Sequence, residues 1–208
     1  DLEGNEVEPE ILKLDWKVSG LGKNGYPFYM EKEIMEQPNA FYETIKHRIV
    51  NGLPDLSGDN VPDDVLTDCK RICIVACGTA MHVGLITQAL VKSVLQMHID
   101  VELASEYMYT DPVIDEDTLV IAVSQSGETV DTLEAVKYAK SRGAKCMAVL
   151  NVRGSSISRV CDYVLYTEAG PEIAVASTKA YTTQLAVMFM LVAKMAQLRG
   201  ALTETEVK

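Results

Sequence analysis

The chain has 208 residues, 48% of them hydrophobic and 24% charged, with a formal net charge of −11. This composition excludes general disorder, and the length suffices for one well-buried domain with a short appendage. The acidic balance, with no basic cluster, speaks against nucleic acid and anionic membranes as partners, and no apolar run reaches the ~18 residues that span a bilayer.

The first residues, Asp1-Leu2-Glu3-Gly4-Asn5-Glu6, have neither a basic start nor an apolar core, so no secretory signal is expected. The missing initiator methionine suggests a piece of something longer. The five cysteines (Cys69, Cys73, Cys77, Cys146, Cys161) are odd in number and form no C-x-x-C pair. They read as reduced, cytoplasmic thiols, with neither a disulfide framework nor a metal site.

Residues 1–29 are acidic and polar, punctuated by Gly20, Gly22, Gly25 and Pro27, and read as a linker or lead-in. A helical pattern starts over Glu31–Met35, and Pro38 is expected to interrupt or restart it. Phe41, Ile45 and Ile49 then recur every fourth residue up to Asn51-Gly52, a helix C-cap by its residue types. Residues 51–62 read as loop.

From residue 70 strand, loop and helix repeat. Strand 71–76 leads through Cys77-Gly78-Thr79 into a helix near 80–96. Strand 99–103 leads to a short capped helix at Ser105-Glu106. Strand 119–123 runs into Ser124-Gln125-Ser126-Gly127-Glu128-Thr129, and a helix carrying Val130, Leu133, Val136 and Ala139 ends near Lys140, Arg142 and Gly143. Strand 146–150 is followed by Gly154-Ser155-Ser156, and strand 162–166 by the Glu168–Ser177 stretch. A last helix, from about 178 to 199, is apolar nearly all round (Leu185, Val187, Met188, Phe189, Met190, Leu191, Val192). It fits packing against another domain or subunit, or deep burial in one domain.

Five near-continuous apolar strands alternating with helices predict an α/β fold: a five-stranded parallel sheet with helices on both faces, flavodoxin- or Rossmann-like. Ligands of such sheets bind beyond the carboxyl ends of the strands. Three hydroxyl-rich loops, at 77–79, 124–129 and 174–178, fall there. The 124–129 loop reads as a phosphate cradle: unpaired N–H groups at a helix start, the hydroxyls of Ser124, Ser126 and Thr129, and Gly127 to admit close approach of the backbone. The alternative is an ordinary helix cap, with Ser126 as N-cap and Glu128 in the first turn.

Taken in order, Cys77-Gly78-Thr79, Ser124 to Thr129 and Val175-Ala176-Ser177-Thr178-Lys179-Ala180 resemble a sugar isomerase (SIS) domain. With Gly25-Tyr26-Pro27-Phe28, Lys32-Glu33-Ile34, Glu36-Gln37-Pro38, Glu102 to Glu106 and Gly154-Ser155-Ser156, the resemblance is to the isomerase region of the glutamine–fructose-6-phosphate aminotransferase family, over residues 25–200. That family makes glucosamine 6-phosphate and glutamate from fructose 6-phosphate and glutamine, with no metal or organic cofactor. The resemblance implies a lead-in over 1–29 and, over 30–208, the first of two SIS modules, an α/β/α sandwich. The glutaminase domain and second SIS module would be missing partners, and a homodimer is implied.

Carried over by resemblance, Ser124, Gln125, Ser126 and Thr129 surround the phosphate, while Thr79, Ser177 and the backbone near Val175 contact the sugar. Two positions depart from many relatives. Ala80 replaces a serine, which removes one neutral hydrogen bond of about 0.5–1.5 kcal/mol. Ala174 replaces a glycine, which tests whether that loop needs a glycine conformation.

The family's isomerising glutamate, lysine and histidine come from the second module, so no catalytic residue is expected in this chain. His82, in a first helical turn near the pocket, is a weaker candidate contact. His47 and His98 read as surface or junction residues, and Glu172 as structural. Lys179 is a motif residue or a solvated charge, and Glu128 is expected to point away from the phosphate. Competing readings are a self-sufficient SIS isomerase or lyase, a non-catalytic phosphosugar sensor, and a flavodoxin-like carrier. The last is disfavoured because the loop follows the third strand and aromatics are only 6%.

Overall fold

A computed structural model describes residues 22–208; the predicted lead-in lies, over residues 1–21, outside the described residues. The described chain opens with helix α1 (Tyr29–Ile45), strands β1 (Ile49–Val50) and β2 (Leu53–Pro54), a 3-10 turn at Ser57–Asp59, and α2 (Asp63–Asp68). There follow β3 (Arg71–Ala76), α3 (Thr79–Val94), β4 (His98–Leu103), α4 (Ala104–Tyr107) and β5 (Thr118–Ser124). The chain continues with α5 (Val130–Ser141), β6 (Lys145–Leu150), α6 (Ser156–Val160), β7 (Tyr163–Tyr166), α7 (Lys179–Leu198) and α8 (Glu204–Val207).

Strands β3 to β7 form the predicted five-stranded sheet, in order β4-β3-β5-β6-β7 with every pair parallel. Side chains alternate between the two faces, as the two-residue period of a strand requires. Ile72, Ile74, Leu119, Ile121, Val123, Met147 and Val149 pack on one face beneath α3 and α7. Cys73, Val75, Val120, Ala122, Cys146, Ala148 and Leu150 pack on the other against α4, α5 and α6. Burial pushes the thiols of Cys73 and Cys146 up to about 12, so both act as small hydrophobes. Strand β4 is less buried, with Asp100 exposed on it, because it is an edge.

Sheet order places β3 between β4 and β5, so the chain leaves β3 on one side and returns on the other. Helix α3 covers one face and α5 the opposite one. The loops after β3 and β5 therefore part at the carboxyl edge, and a crevice opens there.

Three expectations are corrected near the N-terminus. Pro38 lies inside α1 without breaking it. Asn51-Gly52 is not a helix cap: α1 stops at Ile45, and both residues take positive φ (54° and 78°) in the turn of the β1–β2 hairpin. Asn-Gly suits that two-residue turn, because both central residues must be left-handed. The apolar period of α1 also faces outward. Its buried residues are Lys32, Glu33, Ala40 and Thr44, while Met35 is 61% and Tyr42 60% exposed.

The final helix shows the converse. Helix α7 buries Ala186, Val187, Met188, Leu191, Val192 and Met195, packed between the sheet, α3 and α1. Most of its apolar surface is covered within this chain, but Phe189 stays 43% exposed.

Arg48 joins the entry segment to the far sheet edge. Its guanidinium is 1% exposed and donates to Asp59 Oδ2 (2.8 Å) and Oδ1 (2.6 Å), to Thr44 O (2.8 Å) and to Tyr166 O (2.8 Å). Arg48→Met is expected to destabilise the chain by about 3–5 kcal/mol, because Asp59 and two carbonyls lose a buried donor. Urea unfolding measures this; a loss within about 0.5 kcal/mol, as at an ordinary surface site, would contradict it.

Candidate functional site

Ala76 lies opposite Val123 in the β3–β5 pairing, so Cys77-Gly78-Thr79 and Ser124-Gln125 leave the sheet at one level. Between them is a cavity of about 260 Å³, lined by Cys77, Thr79, Ala80, Val123, Ser124, Gln125, Ser126, Thr129, Glu172, Ala174, Val175, Ser177 and Gln184. All seven residues singled out by resemblance line it: Thr79, Ser124, Gln125, Ser126, Thr129, Val175 and Ser177. No aromatic residue, lysine or arginine is in that lining. An anion here meets N–H groups, hydroxyls and helix N-termini and no formal positive charge.

The 124–129 loop is not the ordinary cap. Helix α5 starts at Val130 with Thr129 as N-cap and no side-chain capping bond, so its first-turn N–H groups have no side-chain acceptor. Gly127 N donates to Ser124 Oγ (3.1 Å), Glu128 N donates to Ser126 Oγ (3.2 Å), and the hydroxyls of Ser124 and Thr129 pair at 3.2 Å. The loop's own amides thus occupy hydroxyl lone pairs. The Ser126 hydrogen, and one from the Ser124–Thr129 pair, remain free to donate.

Gly127 serves a different purpose from the one expected. It does not line the cavity; φ is +68°, and a Cβ there would lie 2.7 Å from Ser155 Cβ. It is needed for the left-handed turn and for the packing of Ser155, rather than for approach to a ligand. Ile157 N donates to Gly127 O (3.0 Å), which bolts the loop to α6. Glu128 is exposed and accepts from Ser156 N (2.8 Å), away from the cavity, as expected; the Ser156 hydroxyl first, and then its amide, hold the Glu128 carboxyl below the usual glutamate range.

The third segment crosses from β7 at the sheet edge to the start of α7. Asn151 pins its beginning: Oδ1 accepts from Thr167 Oγ1 (3.0 Å) and Ala169 N (2.9 Å), and Nδ2 donates to Gly170 O (2.8 Å). Glu172 closes its end, accepting from Ser177 Oγ (3.1 Å), Thr178 N (2.9 Å), Thr178 Oγ1 (3.3 Å) and Ala180 N (3.1 Å). It caps α7, a helix whose N-cap Thr178 makes no side-chain cap. Its structural role is therefore as expected. With that N-terminus already facing a carboxylate, the 124–129 end of the cavity is the more favourable one for an anion.

Val175 is fully exposed at the edge of the cavity it lines. Ala174 is not among the residues with positive φ, so this loop does not need a glycine conformation there. Of the two readings of Lys179 the solvated one falls away: it is 4% exposed and paired with Glu36 at 2.7 Å. His82 is exposed on α3 and does not line the cavity, so its contact falls away; His47 and His98 are exposed, as expected. Gln184 was missed. Its one signal in the sequence is polarity within an apolar helix, and α7 places it 3% exposed at the cavity floor.

The family model for the SIS domain matches residues 65–194. The chain belongs to the SIS domain family. It is 47% identical over its whole length to a glutamine–fructose-6-phosphate aminotransferase of Clostridium tetani, covering 34% of that protein. A relative of the same name from Mycobacterium leprae is 44% identical and likewise 34% covered. The structure of the C-terminal domain of glucosamine-fructose-6-phosphate aminotransferase from Francisella tularensis superposes with a TM-score of 0.86 and 39% identity, covering 89% of this chain and 53% of that one. This SIS chain thus spans about a third of the length of the curated relatives it matches.

Because Ser155 fills the space where a Cβ would lie, Gly127→Ala is expected to cost about 1–3 kcal/mol through overpacking. Thermal unfolding would show it; an unchanged midpoint would mean that Ser155 can move aside.

Proposed function

We propose that this chain is the sugar-phosphate-binding SIS module of a glutamine–fructose-6-phosphate aminotransferase, with residues 30–208 as the module and 1–29 as its lead-in. One observation carries the reading. Residues from three separate segments, each matched to the family by its motif, line one cavity at the sheet's switch point. Ser124, Gln125, Ser126, Thr129 and the start of α5 would hold the phosphate of fructose 6-phosphate or glucosamine 6-phosphate. Thr79, Ser177 and the Val175 backbone would meet the sugar. The role is binding: the one carboxylate in the lining, Glu172, is held by four donors and is not free to move a proton. Isomerisation and ammonia transfer would need the remaining parts of a longer protein. The free thiols suit a cytoplasmic location.

Calorimetric titration with fructose 6-phosphate, glucosamine 6-phosphate and unphosphorylated fructose tests the reading. Saturable binding of the phosphorylated sugars only is expected, with Ser126→Ala/Thr129→Val weakening it by about a hundredfold or more, since each hydroxyl bond to a charged group contributes about 1.5–3 kcal/mol. Binding that survives the double substitution would move the phosphate elsewhere.

The homodimer implied by the resemblance would use α1 rather than α7. Met30, Ile34, Met35, Phe41 and Tyr42 form an exposed apolar stripe on α1, whereas Phe189 is the one large apolar residue that α7 leaves exposed. Sedimentation at micromolar concentration is expected to show a dimer that Met35→Lys/Tyr42→Lys converts to monomer. A wild-type monomer, or a dimer indifferent to the substitution, would refute this interface.

A further inference from the structure

The cavity loop that would meet the sugar is fixed by a helix outside the matched SIS region, which begins at residue 65. Glu33, on α1, is 1% exposed. Its Oε1 accepts from Ile173 N at 2.6 Å and from Ala174 N at 3.2 Å, and its Oε2 accepts from Ala174 N at 3.2 Å. Burying a carboxylate is costly unless donors match its oxygens. Here the donors are the backbone amides of the two residues that lead into Val175. The same face of α1 otherwise presents the small residues Ala40 and Thr44, so an aliphatic side chain at 33 would pack but leave both amides without an acceptor.

A second carboxylate of α1 supports the same segment. Glu36 pairs with Lys179, the first residue of α7, at 2.7 Å and with Lys32 at 3.5 Å. The loop is thus held at 173–174 by Glu33 and at its far end by Glu36 and Glu172. Between these anchors lie the Val175 backbone and the Ser177 hydroxyl. The 124–129 loop, by contrast, is braced from α6 and makes no use of α1.

We propose that Glu33 is a positioning residue for the sugar end of the cavity. Through the amides of Ile173 and Ala174 it sets where the Val175 backbone and Ser177 stand, and it touches no ligand itself. This rests on the phosphosugar reading above. Helix α1 then belongs to the binding unit: without it the phosphate cradle would persist, but the sugar would meet an unfixed loop.

Separate anchors mean that phosphate affinity and sugar affinity can be split. Wild type and Glu33→Gln are titrated calorimetrically with inorganic phosphate and with fructose 6-phosphate. The glutamine keeps the size of Glu33 and one acceptor oxygen, but turns an NH2 toward a backbone N–H. Affinity for fructose 6-phosphate is expected to fall about tenfold, while that for inorganic phosphate stays within about twofold. Glu33→Asp, which keeps the charge, is expected to lie between, and gives the same reading if the glutamine variant does not fold.

Equal losses for both ligands would indicate general damage and overturn the proposal, as would an unchanged affinity for fructose 6-phosphate. A wild type that binds inorganic phosphate as tightly as fructose 6-phosphate would also overturn it, because the sugar end would then contribute nothing. A wild type that binds neither would overturn the phosphosugar reading and this inference with it.

Discussion

The parallel pairing of β3 with β5 is the constraint on which the site depends. With Ala76 opposite Val123, the two strands end at the same height, and their helices leave to opposite faces of the sheet. That divergence opens the crevice and aims the start of α3 and the start of α5 into it. A shift of register by one residue would turn every side chain of β5 to the other face, exchanging the two halves of the core. The same pairing therefore holds both the hydrophobic interior and the cavity.

In a chain of net charge −11, a cavity suited to an anion needs the carboxylates around it matched to donors. Three of them are matched to backbone N–H donors: Glu128 to Ser156, Glu172 to Thr178 and Ala180, and Glu33 to Ile173 and Ala174. Each carboxylate thereby fixes a loop. Glu172 alone lines the cavity, at the α7 end, and its charge leaves the 124–129 end as the favourable place for a phosphate. What the cavity offers an anion is oriented dipoles and hydroxyls, which act at short range and need their loops held still.

Much of this was legible residue by residue. Runs of β-branched and apolar residues marked all five strands to within about one residue at each end. The hydroxyl-rich loops fell at strand ends, where a parallel sheet puts its ligands. The errors share one cause, which is that a local pattern does not say which neighbour it faces. Asn51-Gly52 suits a helix cap and a hairpin turn alike, and the partner strand at Leu53–Pro54 decided for the turn. Gly127 suits close approach to a ligand or to a side chain, and Ser155 decided for the side chain. Lys179 at a helix start suits a motif residue or a solvated charge alike, and Glu36 on α1 decided against the solvated charge.

Helices α1 and α7 draw the line between the two kinds of information. The sequence by itself determined that α7 is apolar on nearly every side and that α1 carries an apolar period. It also determined the strands, the hydroxyl loops and the α/β class, because these follow from periodicity and residue chemistry within short windows. Only the tertiary structure decided that α7 has most of its apolar surface covered inside this chain, Phe189 excepted, while α1 turns its own outward. The same holds for Glu33, a charged residue on a helix, which nothing local distinguishes from a solvated one. Its two donors lie 140 residues and more along the chain, and a carboxylate becomes an anchor only where folding brings unpaired N–H groups to it and removes the water.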